Sequence, residues 1–336
     1  MKFLPYSNSL HKYKVKREVN KLKIFEIIFV VLFVVLFSGM LYENITSHKI
    51  ALNSKEKGKY VSIDESKIFY DVVGHGKATI ILDSDIGADH LEWSKFVKSI
   101  PKEFRVFYYD RAGYGLSEAS NKERTMEDEV KNLSDILYRG AINGPYIFVG
   151  NSYGSLLATN FAKAYPEQVI GVMLIDPILE KDLMVKENQK TLSKEIRIKS
   201  SQKFFANVGF VRMLNNLKLV NIKNDITSLL TPENAEVFNS STVSKKYLKA
   251  YKEELNILKN YNLKSQEKAL LGEKPLVLLL SENKGEEYLE EAKKLAELSS
   301  KSEIKVISSV SNIPLQGEDE VVFHLRNILE QTGKLK

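Results

Sequence analysis

The longest apolar pattern in the chain lies near its N-terminus. From Ile24 to Tyr42 the sequence reads IFEIIFVVLFVVLFSGMLY and carries one charge, Glu26, within a turn of its start. Most of this stretch is apolar on every face of a helix, and it is about as long as crossing a ~30 Å hydrocarbon core requires. The pattern therefore predicts one transmembrane helix over residues 24–42.

Basic residues around this segment predict its orientation. The tail at residues 1–23 holds seven Lys/Arg, whereas residues 43–59 hold four. Because the cytoplasmic flank of a membrane helix is the richer in Lys and Arg, we expect the N-terminus in the cytoplasm and the main domain outside the cell membrane. A cleaved signal peptide is the alternative, but Ser38-Gly39-Met40 is a poor cleavage site. An uncleaved anchor is favoured, with residues 43–59 as a short solvated stalk.

Beyond residue 59, short β-branched or aromatic runs alternate with segments of helical periodicity. This alternation is typical of an α/β fold with a largely parallel sheet. Eight strands are predicted, the first two as a hairpin, at 60–63, 67–73, 79–83, 105–110, 146–150, 169–176, 275–280 and 304–308. Helices that pack on the sheet are predicted at 91–100, 126–139, 153–164, 286–298 and 318–331.

Residues 177–272 interrupt this rhythm between the sixth and seventh strands, with long helical patterns and no convincing strand. We interpret them as a helical cap inserted into a core formed by residues 60–176 and 273–336. The cap holds seventeen Lys/Arg against ten Asp/Glu. Solvated helix faces explain such lysines, and a basic surface for anionic lipid or substrate is the alternative.

The charge distribution excludes one class of partner. The formal net charge of the chain is +6, but residues 1–59 alone hold eleven Lys/Arg against four Asp/Glu. The remainder is close to neutral and has no basic tail, so nucleic acid is not an expected partner.

Cysteine is absent, which excludes disulfides and thiolate metal sites. No histidine and carboxylate cluster has ligand spacing, so neither a metal nor an organic cofactor is expected.

One motif indicates chemistry. Residues 146–155 read YIFVGNSYGS, a buried strand followed by G-x-S-x-G and then a helical pattern. On such a tight strand-to-helix turn the Ser152 side chain is exposed and the helix N-terminus favours developing negative charge. Ser152 is therefore the candidate nucleophile. An ordinary glycine-rich turn with a helix-capping serine is the alternative.

Several further stretches carry a family resemblance. They are Ile80-Ile81-Leu82-Asp83-Ser84 with Ile86-Gly87, Glu92-Trp93-Ser94-Lys95, Asp110-Arg111-Ala112-Gly113-Tyr114-Gly115-Leu116-Ser117, Gly144-Pro145 before the nucleophile strand, and Met173-Leu174-Ile175-Asp176. With Ser152, these stretches resemble the bacterial α/β-hydrolase family of esterases, lipases and related acyl hydrolases over residues 60–332. The resemblance implies an α/β-hydrolase fold, and a small ester or lipid-like acyl compound as substrate or ligand.

The resemblance also implies further site residues. The backbone N–H groups of Tyr153 and Ile86 would form the oxyanion hole. Asp176, at the end of the sixth strand, is the favoured acid, because the usual position after the seventh strand has Glu282 and no aspartate. Trp93 is expected to anchor the first helix to the sheet.

The family pattern fails at the general base. The histidine expected after the eighth strand is replaced by Ser311 when counted from the last helix and by Asn312 when counted from the strand. Neither side chain can accept a proton near neutral pH. Of the five histidines, His90 is the candidate for a relocated base, because it follows the oxyanion loop. The others are expected in the tail, the stalk, the hairpin turn and the last helix, at His11, His48, His75 and His324.

Two further departures lie at the same site. Asp85 stands where the family has glycine in the oxyanion loop, and Asn151 stands where it commonly has histidine before the nucleophile. A carboxylate at position 85 opposes oxyanion stabilisation unless its side chain turns away. Two functional interpretations follow. One is a membrane-anchored serine hydrolase with impaired chemistry, and the other is an inactive pseudohydrolase that binds a ligand or serves as a surface scaffold.

Overall fold

The computed structural model describes residues 21–53, 58–217, 219, 225–261 and 268–335, without the side chains of 47–53, 180 and 181. Residues 1–20, which hold most of the predicted cytoplasmic tail and His11, lie outside the described part of the chain. The N-terminal helix, α1, is longer than the predicted membrane segment and extends over Lys21–Asn53. It therefore continues into residues predicted to form the stalk.

The core contains the predicted eight-stranded sheet. Its strand order is β1-β2-β4-β3-β5-β6-β7-β8. The first two strands form the expected antiparallel hairpin, β2 also pairs antiparallel with β4, and all other pairs are parallel. The strands are β1 (Lys59–Ile63), β2 (Ser66–Val73), β3 (Thr79–Asp83), β4 (Arg105–Tyr109), β5 (Tyr146–Asn151), β6 (Val169–Ile175), β7 (Leu276–Ser281) and β8 (Ser302–Ile307).

Helices cover both faces of the sheet, as a parallel sheet requires. The helices that flank it are α2 (Ser94–Ser99), α3 (Met126–Arg139), α4 (Tyr153–Ala164), α10 (Glu286–Ala296), α11 (Ile313–Gln316) and α12 (Glu318–Gln331). Apolar residues of α3, α4 and α10 pack in one core cluster. Those of α2, α11 and α12 pack in a second cluster on the opposite face, which includes the fully buried Trp93. Because the central strands contact both layers, their residues are continuously apolar.

The segment between β6 and β7 is helical. It contains α5 (Glu180–Met184), α6 (Lys186–Ala206), α7 (Phe210–Asn216), α8 (Pro232–Thr242) and α9 (Lys245–Asn260), with a 3₁₀ turn at Asp225–Leu229. Helix α9 joins this segment to the core, because Tyr247 and Ala250 pack with Tyr114 in a buried cluster. We call residues 177–272 the cap.

Helix α1 is an apolar rod that lies outside both core clusters. Over Lys21–Thr46 it is long and apolar enough to cross a membrane, and a signal sequence near the N-terminus would meet the same description. It is the one such helix among the residues described. Near the C-terminal end of its apolar segment, α1 contacts the cap, where Arg212 forms an ion pair with Glu43 at 2.6 Å.

Candidate active site

Ser152 lies on the sharp turn that the motif predicted, between β5 and α4. Its backbone adopts a positive φ of 48° with ψ of −102°, a strained conformation for a residue with a side chain. Glycine is required on both sides of it. A Cβ on Gly150 would lie 2.3 Å from the Gly154 carbonyl oxygen, and one on Gly154 would lie 2.4 Å from that of Asp83. The two glycines thus allow the turn to sit against the end of β3.

The two predicted oxyanion donors converge on one atom, the Oδ1 oxygen of Asp85. The Ile86 N–H donates to it at 2.6 Å and the Tyr153 N–H at 3.3 Å. The Ser152 side chain also hydrogen bonds to the Asp85 carboxylate. Both distances lie within about 0.2 Å of the 2.7–3.1 Å at which donors of an oxyanion hole bind. The Asp85 carboxylate therefore occupies the position that the sequence predicts for an oxyanion.

Contacts from the core hold the Asp85 backbone in place. Its N–H donates to Glu92 Oε2 at 2.9 Å, and its carbonyl oxygen accepts from Arg111 Nη2 at 2.8 Å. Arg111 also donates to Asp83 and to the Ser84 carbonyl oxygen at 2.7 Å. On its other side, Arg111 Nε donates to Glu254 of α9 at 2.7 Å. This buried arginine thus joins the oxyanion loop to the cap.

Two acidic groups meet beneath the loop. Burial raises the pKa of Asp85, although hydrogen bonds from Ser152, Ile86 and Tyr153 and the charge of Arg111 oppose the rise. Burial raises the pKa of Glu92 to about 8, and the negative charge of Asp85 adds to the effect. Glu92 is therefore protonated near neutral pH, next to the negative charge of Asp85 that contributes to its raised pKa.

Known proteins resemble this chain in sequence and in fold. A family model described as the alpha/beta hydrolase fold matches residues 75–207, which include Asp85 and Ser152. The chain has the α/β-hydrolase fold. A thermophilic esterase from Thermogutta terrifontis superposes on it with a TM-score of 0.63, covering 82% of this chain and 99% of the esterase, at 19% identity.

Two curated relatives match this chain over shorter stretches. One is the uncharacterized protein YqjL of Bacillus subtilis, 34% identical over 106 residues, 32% of this chain and 42% of the relative. The other is a 2-hydroxy-6-oxononadienedioate/2-hydroxy-6-oxononatrienedioate hydrolase of Comamonas testosteroni, 30% identical over 139 residues, 38% of this chain and 47% of the relative. The chain thus spans less than half the length of each, and the matches support a hydrolase-like protein without identifying its substrate.

At the base position, the structure brings Asn312 to the site. Asn312 Nδ2 donates to Glu92 Oε1 at 3.1 Å, and Asn151 Nδ2 donates to the same oxygen at 2.8 Å. Asn312 also caps α11, because its Oδ1 accepts from the Leu315 N–H at 3.0 Å. Ser311, the alternative position, is exposed and hydrogen bonds instead to Gln316. Two amides and a protonated carboxyl thus lie where the family has its base.

Asp176 lies at the carboxyl end of β6 with a positive φ of 39°. Its two carboxylate oxygens accept from the Ser281 N–H at 2.8 Å and the Ser281 hydroxyl at 2.5 Å. Burial raises the pKa of Tyr288, and the charges of Asp176 and Asp85 add to the effect, so both acids lie near this phenol. Glu282, the alternative acid, is exposed in a 3₁₀ turn. Of the two candidate acids, Asp176 is thus the buried one, at the sheet edge that carries Ser152, and its role as the acid stays a prediction.

His90 takes part in a different interaction. Its Nδ1 lies 2.8 Å from Asp110 Oδ1, and its ring packs against Phe69 and Tyr108 with centroids 4.9 Å and 6.1 Å away. Burial disfavours the charged form of Asp110, yet the nearby His90 gives the carboxyl a lowered pKa. The position of His90 after the oxyanion loop is thus explained by packing between the 3₁₀ turn at His90–Trp93 and β4.

Asp89, His90 and Asp110 bring ligand atoms close enough together to hold a metal ion. The two carboxylates already accept backbone hydrogen bonds, however. Asp89 Oδ1 accepts from Leu91 N at 3.0 Å, and the Asp110 oxygens accept from His90 N at 2.8 Å and Leu116 N at 2.7 Å. These bonds fix the turns around β4, so a structural role explains the cluster.

Sequence reasoning missed Glu92 and Glu254. Glu92 lies in the Glu92-Trp93-Ser94-Lys95 stretch, where the family resemblance implies a role only for Trp93, whose Nε1 donates to Ser84 Oγ at 3.0 Å. A glutamate inside an apolar helix pattern was the available signal, because a buried carboxyl needs partners. Glu254 offered no signal, since it lies on a cap helix rich in charged residues and its partner Arg111 is remote in sequence.

Proposed function

We propose that this chain is a membrane-anchored member of the α/β-hydrolase family whose ester hydrolysis is silenced by the loss of the histidine base and by Asp85, which fills the predicted oxyanion hole. One observation carries the proposal: a single oxygen of Asp85 accepts both oxyanion-hole N–H groups and the carboxylate hydrogen bonds to Ser152. The division into a membrane segment at 24–42, a core and a cap at 177–272 is part of the same proposal.

The chemistry of acyl transfer explains why this contact silences the site. Attack of Ser152 on an ester places a negative oxygen between the Ile86 and Tyr153 N–H groups, where Asp85 already holds a negative oxygen. Losing one oxyanion donor costs on the order of 10²–10³ in kcat. Losing the base costs on the order of 10⁶, and the effects are not additive. Asn312 and Ser311 supply no base, so turnover near background is expected.

Lysine asymmetry and the apolar length of α1 support anchoring in the cell membrane, with the N-terminus cytoplasmic and the main domain outside. Protease added to intact cells tests this orientation. The core and cap should be degraded while an N-terminal tag is protected. Degradation of the tag with protection of the core would reverse the orientation.

Two observations favour the alternatives. The Asp85 carboxylate, which hydrogen bonds to Ser152, could accept its proton, which would leave a slow serine hydrolase acting on small ester or lipid-like acyl substrates. A cleft of about 720 Å³ between the core and the cap, lined by residues that include Arg124, Asn160 and Lys203, suits a pseudohydrolase that binds a polar ligand.

Ester turnover separates these functions. The full-length chain in detergent is assayed against p-nitrophenyl esters of increasing acyl length, beside Ser152→Ala and His90→Ala variants. The proposal expects the wild-type rate to equal that of Ser152→Ala on every ester. Wild-type turnover that disappears in Ser152→Ala would instead establish an active hydrolase. If His90→Ala also lost this turnover, His90 would be its base.

A further inference from the structure

Helix α7 of the cap exposes one apolar face. Phe210, Met213 and Leu217 are 42%, 44% and 60% exposed, and their spacing of three and four residues places them on one side of the helix. The opposite side, with Val211 and Arg212, is buried. Neighbouring exposed apolar residues extend this face, which we call the cap patch: Phe204, Phe205, Phe210, Met213, Leu217 and Leu219. Contiguous exposed apolar side chains of this kind mark an interaction surface.

Close contacts fix α7 to one level of helix α1. A Cβ on Gly39 would lie 2.0 Å from the Val208 carbonyl oxygen, so the two backbones touch. Arg212 Nε and Nη2 donate to the Glu43 carboxylate at 2.6 Å and 2.9 Å. Asn216 Nδ2 donates to the Tyr42 hydroxyl at 3.2 Å. The cap therefore meets α1 at residues 39–43.

The contact with the cap, at residues 39–43 of α1, coincides with the end of the apolar segment 24–42. Residues 24–42 form a helix about 28 Å long at about 1.5 Å per residue, close to the ~30 Å thickness of a hydrocarbon core. Gly39 precedes the end of the segment by three residues, or about 5 Å. Interfacial helices bury their apolar faces about 5–10 Å into the boundary between headgroups and acyl chains. The cap patch thus lies at the depth that such a helix occupies.

We propose that the cap patch inserts into the interface of the bilayer that α1 crosses, so that the cap rests on the lipid surface. The inference rests on the membrane anchoring proposed above. A cavity of about 360 Å³ that includes Phe205, Phe210 and Leu214 opens at this face and suits acyl chains. The cap's excess of Lys/Arg over Asp/Glu suits anionic headgroups. The partner is therefore a lipid surface.

The chain has no native cysteine, so one cysteine can be introduced and labelled at each chosen depth. Met213→Cys and Leu217→Cys test the cap patch in the full-length chain, and Phe33→Cys reports on α1. Tyr138→Cys is the matched control, because Tyr138 is a large, exposed side chain on α3 of the core. Each variant carries an NBD label in vesicles of phosphatidylcholine and phosphatidylglycerol with ordinary or brominated acyl chains.

Brominated lipid should remove most of the emission at positions 33, 213 and 217 and leave position 138 unchanged. Quenching at 33 without quenching at 213 and 217 would overturn the inference and leave the anchor intact. Absence of quenching at 33 would refute the anchor and this inference together. Excimer emission from pyrene at position 213, without quenching by lipid, would show that a second copy covers the patch and would also overturn the inference.

Discussion

Replacing Glu92 by glutamine should flatten the dependence of folding stability on pH. Burial and the charge of Asp85 raise the pKa of Glu92 from 4.5 to about 8 in the folded chain. The native state therefore holds a proton that the unfolded chain releases above pH ~4.5. The stability that this proton confers is fully present below pH ~4.5 and is lost as pH rises through about 8.

The magnitude follows from the size of the shift. One pKa unit corresponds to about 1.36 kcal/mol, so a rise of about 3.5 units corresponds to at most about 5 kcal/mol of stability lost between pH 4.5 and pH 8. Glutamine stays neutral, so Glu92→Gln should remove this loss. The readout is the slope with pH and not the absolute stability of the variant. The new amide nitrogen replaces a carboxyl oxygen that accepts from Asn151 and Asn312 or from the Asp85 N–H, and this loss changes the stability at every pH.

The single tryptophan supplies the measurement, because Trp93 is fully buried and adjacent to Glu92. Urea unfolding of the full-length chain in detergent, followed by Trp93 emission, gives the free energy of unfolding at pH values from 5 to 9. Glu236→Gln, at an exposed carboxyl on α8, is the control and should keep the wild-type slope. A wild-type slope in Glu92→Gln as well would refute the assignment of a retained proton to Glu92.

Three further substitutions test the packing that positions the site. Arg212→Ala leaves buried Glu43 without its ion-pair partner and should lower the free energy of unfolding by about 3–5 kcal/mol. The loss should appear as faster limited proteolysis of the cap. The double variant Glu43→Gln with Arg212→Met should recover part of the lost stability. Thr125→Ala removes the capping box of α3 and should lower the free energy of unfolding by about 1 kcal/mol, whereas Thr125→Ser should not. Gly154→Ala forces a Cβ to 2.4 Å from the Asp83 carbonyl oxygen and should cost at least about 1–3 kcal/mol in urea unfolding.

Much of the fold was predictable because it depends on local pattern. The strands are buried by helices on both faces, so each reads as an apolar run bounded by turn residues. The predicted strands and sheet helices agree with the structure to within about two residues at most ends, the usual uncertainty of element boundaries. The continuation of α1 to Asn53 was missed, because the polar composition after Tyr42 does not distinguish a helix from a stalk.

The site was predictable only where the motif fixes the backbone. The G-x-S-x-G turn determines where Ser152 and the Tyr153 N–H lie, but the direction of the Asp85 side chain depends on contacts from Glu92 and Arg111. The sequence left two possibilities for Asp85, and in the structure its carboxylate accepts from both N–H groups that were predicted to form the oxyanion hole. Asn312 and Glu92 are 220 positions apart in the sequence, so no local sequence pattern reveals that they are in contact.

Covalent labelling of Ser152 by a fluorophosphonate tests the central claim most directly, because the phosphonyl oxygen must enter the hole that Asp85 occupies. Asn312→His supplies a base in one variant, and Asn312→His with Asp85→Gly also frees the two N–H donors. The account predicts that the second variant labels at least about a hundredfold faster than the first, as expected for restored oxyanion donors. Removal of the exposed Glu282 carboxyl by Glu282→Gly in the same background should change nothing. Equal labelling of the two histidine variants would contradict the account, because Asp85 would then not be what closes the site.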